Sequence, residues 1–302
     1  MLSQNKIIYA KTEATYAAAT TPDAAHDFIA ADSIKVAPAP TYNQTMSTDI
    51  SLSKRAGTLG LGSVAITFNH QLQMNGATPP ILPLLKACGY KNTAGVLTPR
   101  TTGFESCTMW VWEENILWKI AGCRGNVDWN FKAGDPVSAA FNMQGRWAVP
   151  IDSTYPTSVT DNGGKPCVAM NRSFVFGSDN PVTESLQFSL NNVITLQPNL
   201  DDSVSQGIEE VAITGRDAKG SFNPEVVLAA TTDFYAIFSA LTQTAITYVV
   251  GDGTDNMTIS LPKCELENVA PGDQGGIAIY DIPFHMVRTT ADDEISLTFA
   301  AA

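Results

Sequence analysis

Asn126-Val127-Asp128-Trp129-Asn130-Phe131-Lys132 alternates polar and apolar residues without a break. A period of two is the signature of a half-buried β-strand, so Val127, Trp129 and Phe131 share the core face and Asn126, Asp128, Asn130 and Lys132 the opposite one. The turn-forming Gly134-Asp135-Pro136 ends the run, and the next segment repeats the alternation. Phe141 and Met143 lie on one side there, and Asn142, Gln144 and Arg146 on the other. The two runs therefore predict an antiparallel pair with a packed face anchored by Trp129, Phe131 and Phe141 and a polar face carrying Asp128, Asn130, Asn142 and Gln144. Upstream, residues 107–112 and 116–121 flank Glu113-Glu114-Asn115 as a second hairpin feeding the same sheet.

Working outward, Val, Ile, Thr and Phe are dense at residues 33–37, 64–74, 186–196 and 210–214, which predicts further strands. Two stretches have helical spacing instead. In Ile81-Leu82-Pro83-Leu84-Leu85-Lys86-Ala87-Cys88-Gly89 the proline suits a first turn and the glycine a C-terminal stop. In Asp233-Phe234-Tyr235-Ala236-Ile237-Phe238-Ser239-Ala240-Leu241 the aspartate suits an N-cap. Each helix is preceded by a proline-bearing extended segment and a strand. Each is followed by paired strands, a turn (134–136 or 271–273) and a last strand, so the pattern repeats after about 150 residues. The expected organisation is 1–150, a linker or exposed loop over 151–180, and 181–302.

The 302-residue chain has 18 basic and 30 acidic residues, a net charge of −12, and only 16% charged residues against about 25% in typical soluble domains. Neutral polar surface of that kind suits contact with other protein, and the acidic balance disfavours a phosphate-binding patch. No run of about 20 apolar residues or hydrophobic leader is present, so the reading is no membrane partner and a cytoplasmic site of synthesis. Five widely spaced cysteines without a CxxC pair signal neither a disulfide framework nor a zinc site and read as buried thiols. Three histidines, His26, His70 and His285, leave little room for catalytic triads, and no nucleophile elbow, P-loop or zinc-protease motif occurs. The acidic runs Glu113-Glu114, Glu209-Glu210 and Asp292-Asp293-Glu294 read as solvated faces, and residues 251–256 as a hairpin turn rather than a calcium loop. No catalytic, cofactor or metal residue is assigned, and the chain is read as no enzyme. The tryptophans and the Thr/Asn-rich surface leave a β-sandwich receptor- or carbohydrate-binding module as the alternative.

Taken in series, several segments resemble the major tail tube proteins of long-tailed bacteriophages, a family of roughly 300-residue subunits. They are Tyr9-Ala10-Lys11-Thr12-Glu13-Ala14-Thr15-Tyr16, Thr21-Pro22-Asp23-Ala24-Ala25 and the 81–90 helix region. Gly122-Cys123-Arg124-Gly125, Lys132-Ala133-Gly134-Asp135-Pro136, Ile213-Thr214-Gly215-Arg216 and Asp292 to Phe299 complete the series. The resemblance implies a mainly β chain whose strands join those of neighbouring subunits into a β-barrel tube, built as stacked homo-oligomeric rings around a lumen that passes genomic DNA. It implies a virion-tail location, other tail proteins at the tube ends and a lumen wall at Asp128, Asn130, Asn142 and Gln144. A polar loop carrying Asn43, Thr48, Lys54 and Arg55 is expected to contact the next ring.

Two tandem tail-tube-type β-sandwich units in one chain predict a threefold ring of pseudo-sixfold appearance, favoured over a hexamer. No cofactor is expected, so thermal melts with and without a chelator should coincide; a shift of several degrees would revive residues 251–256 as a metal site.

Overall fold

The computed structural model describes the chain except residues 1–4, 24–25, 47–49, 52, 75–77, 162–163, 171, 202–205, 252–254 and 301–302. It is mainly β, with two short helices, Leu82–Ala87 and Phe234–Ser239. Both helices form where their sequence signals stand. Pro83 occupies the first turn of the former, Gly89 follows it at φ 87°, and Asp233 Oδ1 accepts the Ala236 amide at 2.9 Å to cap the latter.

Alternation puts Ile116–Lys132 and Ser138–Arg146 side by side, and strand pairing then continues in both directions. The pairing runs Asp32–Asn43, Thr58–Gln71, Ser138–Arg146, Ile116–Lys132, Thr183–Ser189, Lys219–Pro224, Ile277–Met286 and the end of Asn256–Leu266. Eight antiparallel strands thus form one long sheet, and the order of the first four recurs in the second four. In each set a hairpin strand lies outermost, followed by its mate, then the last strand, then the long strand that precedes it in sequence. The hinge of the sheet is the pairing of Asp128–Lys132 with Ser185–Ser189.

The core face of this sheet is covered by a second layer. Lys6–Thr12, Cys107–Glu113 and the beginning of Ile116–Lys132 pair over the first half. Thr244–Gly251, Asn256–Leu266 and Ser296–Ala300 pair over the second. The C-terminal strand also pairs with Val96–Pro99, Leu297 opposite Leu97, so the layers stitch the halves together as the long sheet does. One hydrophobic core runs through both halves. Phe131 and Phe188 stack across the seam at 5.7 Å beside Trp129, and Phe222 packs on Phe176, Phe234 and Phe284.

Several expectations need correction. The predicted strand over 186–196 is two strands, Thr183–Ser189 and Asn192–Pro198, because Asn191 takes φ 47° and turns the chain out of the sheet. Asn192–Pro198 pairs with Ile208–Arg216 as a separate two-stranded arm. The turn expected at 271–273 belongs instead to strand Ala270–Gln274, and the reversal falls on Gly275-Gly276, whose positive φ values of 59° and 94° suit glycine. The acidic run near the C-terminus is not a solvated face. Arg216 holds Asp292 and Glu294, each at 2.5 Å, Glu294 is buried, and Asp293 accepts the Thr289 and Thr290 amides. Glu113 and Glu210 likewise bind Lys6 and Arg124. Residues 252–254 lie outside the described residues, so the 251–256 turn is described only at its ends.

Trp129 is 1% exposed and contributes two aromatic stackings, so Trp129→Ala should cost about 3–5 kcal/mol in chemical denaturation. Asn130→Ser, on the opposite face, should change stability by less than about 0.5 kcal/mol.

Candidate functional site

The polar face of the long sheet is the surface the sequence singled out. Pairing registers place one residue from each of eight strands in a transverse row: Asp32, Asn69, Ala140, Asp128, Ser189, Lys219, His285 and Glu265. A parallel row holds Gln71, Ser138, Asn130, Gln187, Ser221 and Pro283. Side chains are small, neutral or charged throughout both rows, and the face crosses the seam between the halves without a change of character.

Asp128, Asn130 and Asn142 are exposed on this face, and Gln144 is half-buried at its end, donating to Ser63 Oγ at 3.1 Å. Trp129, Phe131 and Phe141 point the other way and are buried. Asn126 links the face across the seam, its Nδ2 donating to Asp128 Oδ1 at 2.9 Å and Ser189 Oγ at 2.7 Å. Asn43, Lys54 and Arg55 are exposed at and beyond the tip of the Asp32–Asn43 strand; Thr48 lies outside the described residues.

Several basic side chains on this face lie beside carboxylates. Lys219 Nζ sits 3.1 Å from Asp217 and 3.6 Å from Glu267, and hydrogen bonding to Asp217 raises its pKa. His285 lies between the same two carboxylates, 3.4 Å from Asp217 through Nδ1 and in contact with Glu267 through Nε2. Lys132 faces Glu184 at 3.9 Å. Apart from exposed Lys35, opposite Thr67, the face offers phosphates little fixed positive charge. The Lys219–His285–Asp217–Glu267 group escaped the sequence reading because its members come from two strands and the turns beside them, far apart in the chain, and carry no shared motif.

At one end the face is covered by the 192–216 arm. Arg124, buried against the Tyr16 ring at 4.6 Å, binds Glu210 and donates to the carbonyls of Val211 at 3.0 Å and Phe104 at 2.8 Å. Arg146 Nε donates to Ile208 O at 3.1 Å, Gly62 N to Gln206 O at 3.2 Å, and Val211 N to Tyr16 Oη at 2.7 Å. Burial of Tyr16 pushes its pKa up to about 12, so the hydroxyl stays protonated and donates weakly to Gly122 O at 3.3 Å. Sequence reasoning missed this clamp, although Gly122-Cys123-Arg124-Gly125 and Tyr16 both stand in the segments that carried the resemblance.

At the two ends of the sheet, among the described residues, Asp32–Asn43 pairs only with Thr58–Gln71, while the far side of Ile277–Met286 is lined by the end of Asn256–Leu266 and then by Ala270–Gln274, which pairs with no other strand. Each leaves one edge without a strand partner, with Lys6 Nζ donating to the Ile34 carbonyl at 3.0 Å on the first. No group of three or more His, Cys, Asp or Glu among the described residues is arranged to hold a metal ion. No helix among them is long and apolar enough to cross a membrane.

A neutralised polar face on a long antiparallel sheet with two open edges is an architecture for assembly, and comparison with known proteins agrees. No curated protein matches the chain. The model of the phage tail tube protein family matches residues 3–299, nearly the whole length. The chain belongs to the phage tail tube protein family.

Proposed function

We propose that this virion-tail subunit polymerises as stacked rings around a lumen through which DNA passes, with the polar face of the long sheet as the lumen wall. The single observation that carries the reading is the pair of open edges at opposite ends of a sheet whose internal seam already shows how such edges join. Asp128–Lys132, at the end of the first four strands, pairs with Ser185–Ser189, at the start of the second four. Because the strand order repeats, the residues beyond Cys264 at the end of the second four are free to pair with Asp32–Asn43 of a neighbouring copy. A head-to-tail interface of this kind generates a ring when its rotation closes, and closure removes both edges.

Ring size follows from strand geometry. At about 4.8 Å between strands and a tilt of about 40°, eight strands cover about 50 Å of circumference, so three chains make a barrel about 48 Å across. Six chains would make one about 96 Å across, far wider than a duplex needs. Three chains therefore give the threefold ring with pseudo-sixfold appearance, residues 1–150 and 181–302 each supplying four strands. Residues 151–180 form a linker or exposed loop between them. Asp128, Asn130, Asn142 and Gln144 face the lumen in this arrangement. The loop carrying Asn43, Thr48, Lys54 and Arg55 reaches toward the next ring, and other tail proteins bind the tube ends. The subunit's role is structural: the wall guides DNA by weak repulsion, with no catalysis and no specific binding.

Electron microscopy of concentrated protein should show hollow stacked rings, and native mass spectrometry three chains per ring; six chains would overturn the trimer. Replacing Asp128, Asn130, Asn142 and Gln144 with Lys should leave rings intact while reducing genome delivery, since the wall would then bind phosphates with release of counterions. Unchanged delivery would put these residues elsewhere.

A further inference from the structure

The two hairpin arms of the chain are related, but only one of them is docked. The helices begin 152 residues apart, at Leu82 and Phe234. The same displacement carries Gly89, at φ 87°, to Leu241, at φ 49°, each just past its helix. It also carries Tyr42 to Ile194, Leu59 to Val211 and Leu61 to Ile213. In the second arm these apolar positions lie against the first half: Val211 is buried, and the Ile213 side chain packs beside Gly89. In the first arm, Tyr42, Leu59 and Leu61 are 64%, 60% and 45% exposed. Large apolar side chains exposed together on one hairpin, at the positions that are covered in its internal counterpart, mark an interaction surface.

The receiving surface is also repeated. Arg146 stands two residues beyond Gln144, the partner of Arg124, and donates to the Ile208 carbonyl of the docked arm. At the corresponding end of the second half, Arg288 stands two residues beyond Met286, the buried partner of Cys264, one residue out of step with Arg146, which follows the polar face. It is exposed, makes no hydrogen bond or ion pair among the described residues, and lines an open cavity of about 530 Å³ with Arg216 and Met286. Leu241, where Gly89 receives Ile213 in the first half, is 62% exposed.

We propose that the first arm, residues 37–43 and 58–62, docks onto the second half of a neighbouring copy of this chain, burying Leu59 and Leu61 near Leu241, with Arg288 donating to the backbone near Ala56. The occupant is a second copy because the template for the contact is this chain's own arm on its own first half. The contact deepens the ring reading above, adding to the paired edges a clamp that lies over the joint. It is distinct from the loop tip that reaches the next ring.

The test compares matched positions. Leu59→Asp with Leu61→Asp, and separately Arg288→Glu, should leave the monomer's melting temperature unchanged while raising the concentration needed for assembly by about tenfold or more. Val211→Asp should instead lower the melting temperature, because its contact is intramolecular. A chain carrying both Ala56→Cys and Arg288→Cys should give disulfide-linked multimers on a non-reducing gel under mild oxidation by oxidised glutathione, which the single variants should not. Wild-type rings with variants that assemble at the wild-type concentration, or an absence of 56–288 cross-links in those rings, would overturn the arm contact and leave the tube reading standing. Cross-linked open fibres without rings would support the arm contact and overturn the ring. A wild-type chain that stays monomeric at every concentration would overturn both.

Discussion

Everything in this fold depends on five residue pairs, Ser185 to Ser189 against Lys132 to Asp128, that turn two four-stranded sheets into one. A strand edge with unpaired amides and carbonyls is satisfied by water or by another strand, and the second solution excludes other partners. Aromatic stacking of Trp129, Phe131 and Phe188 beneath the seam and the Asn126 bridge above it fix the register from both faces. A slip of one residue would carry Phe188 to the polar face and Gln187 into the core, so the packing permits one pairing. With the register set, the polar rows are continuous and the second arm is carried over the end of the first half.

Placement of the charges follows from that continuity. The chain has few charges, and Arg124 and Arg216 at the arm and Lys132 at the seam each lie beside a carboxylate. Arg124 is nearly buried and would be costly alone, but it meets a carboxylate, three carbonyls and the face of Tyr16. A buried pair of this kind adds less stability than an apolar contact of the same size, while removing either partner strands a charge. Its contribution is orientation: the guanidinium fork fits one position of the 208–216 strand. Arg216, farther along that strand, does the same with Asp292 and Glu294 and ties the arm's base to the C-terminal segment.

How much of this was legible in the sequence varies with the range of the interactions. Alternation through Val127, Trp129 and Phe131 reported the strand and its core face, because period two is a local consequence of the pleat. Pro83, Gly89 and Asp233 reported the helices, because caps and stops are local too. The break at Leu190-Asn191 was not legible: Asn tolerates a left-handed backbone but does not require it, and the apolar run reads straight through. Equally hidden were the partners of Asp292 and Glu294, since an acidic run looks the same whether water or Arg216 receives it. The candidate face could be listed by parity from a single strand pair, but its extent across eight strands, and the carboxylates around Lys219 and His285, arise from pairings between distant segments that no window of sequence contains.

An exposed apolar arm and two open edges are hazards for a subunit that must stay dispersed before it assembles, and the edge strand carries devices against misuse. Pro38 and Pro40 sit in Asp32–Asn43, and Pro271 in Ala270–Gln274, each removing an amide donor from an edge strand. Lys35 adds an exposed charge to the first of them. An arbitrary strand meets gaps and a charge along such an edge. Covalent fusion of the two halves acts in the same direction. In the ring proposed above, one of the two seams forms within the chain, where its partners are always close, so only the other depends on concentration. Assembly of that ring would be governed by a single kind of joint, and the proposed arm contact would concentrate the energetic drive for association where the geometry is most restrictive.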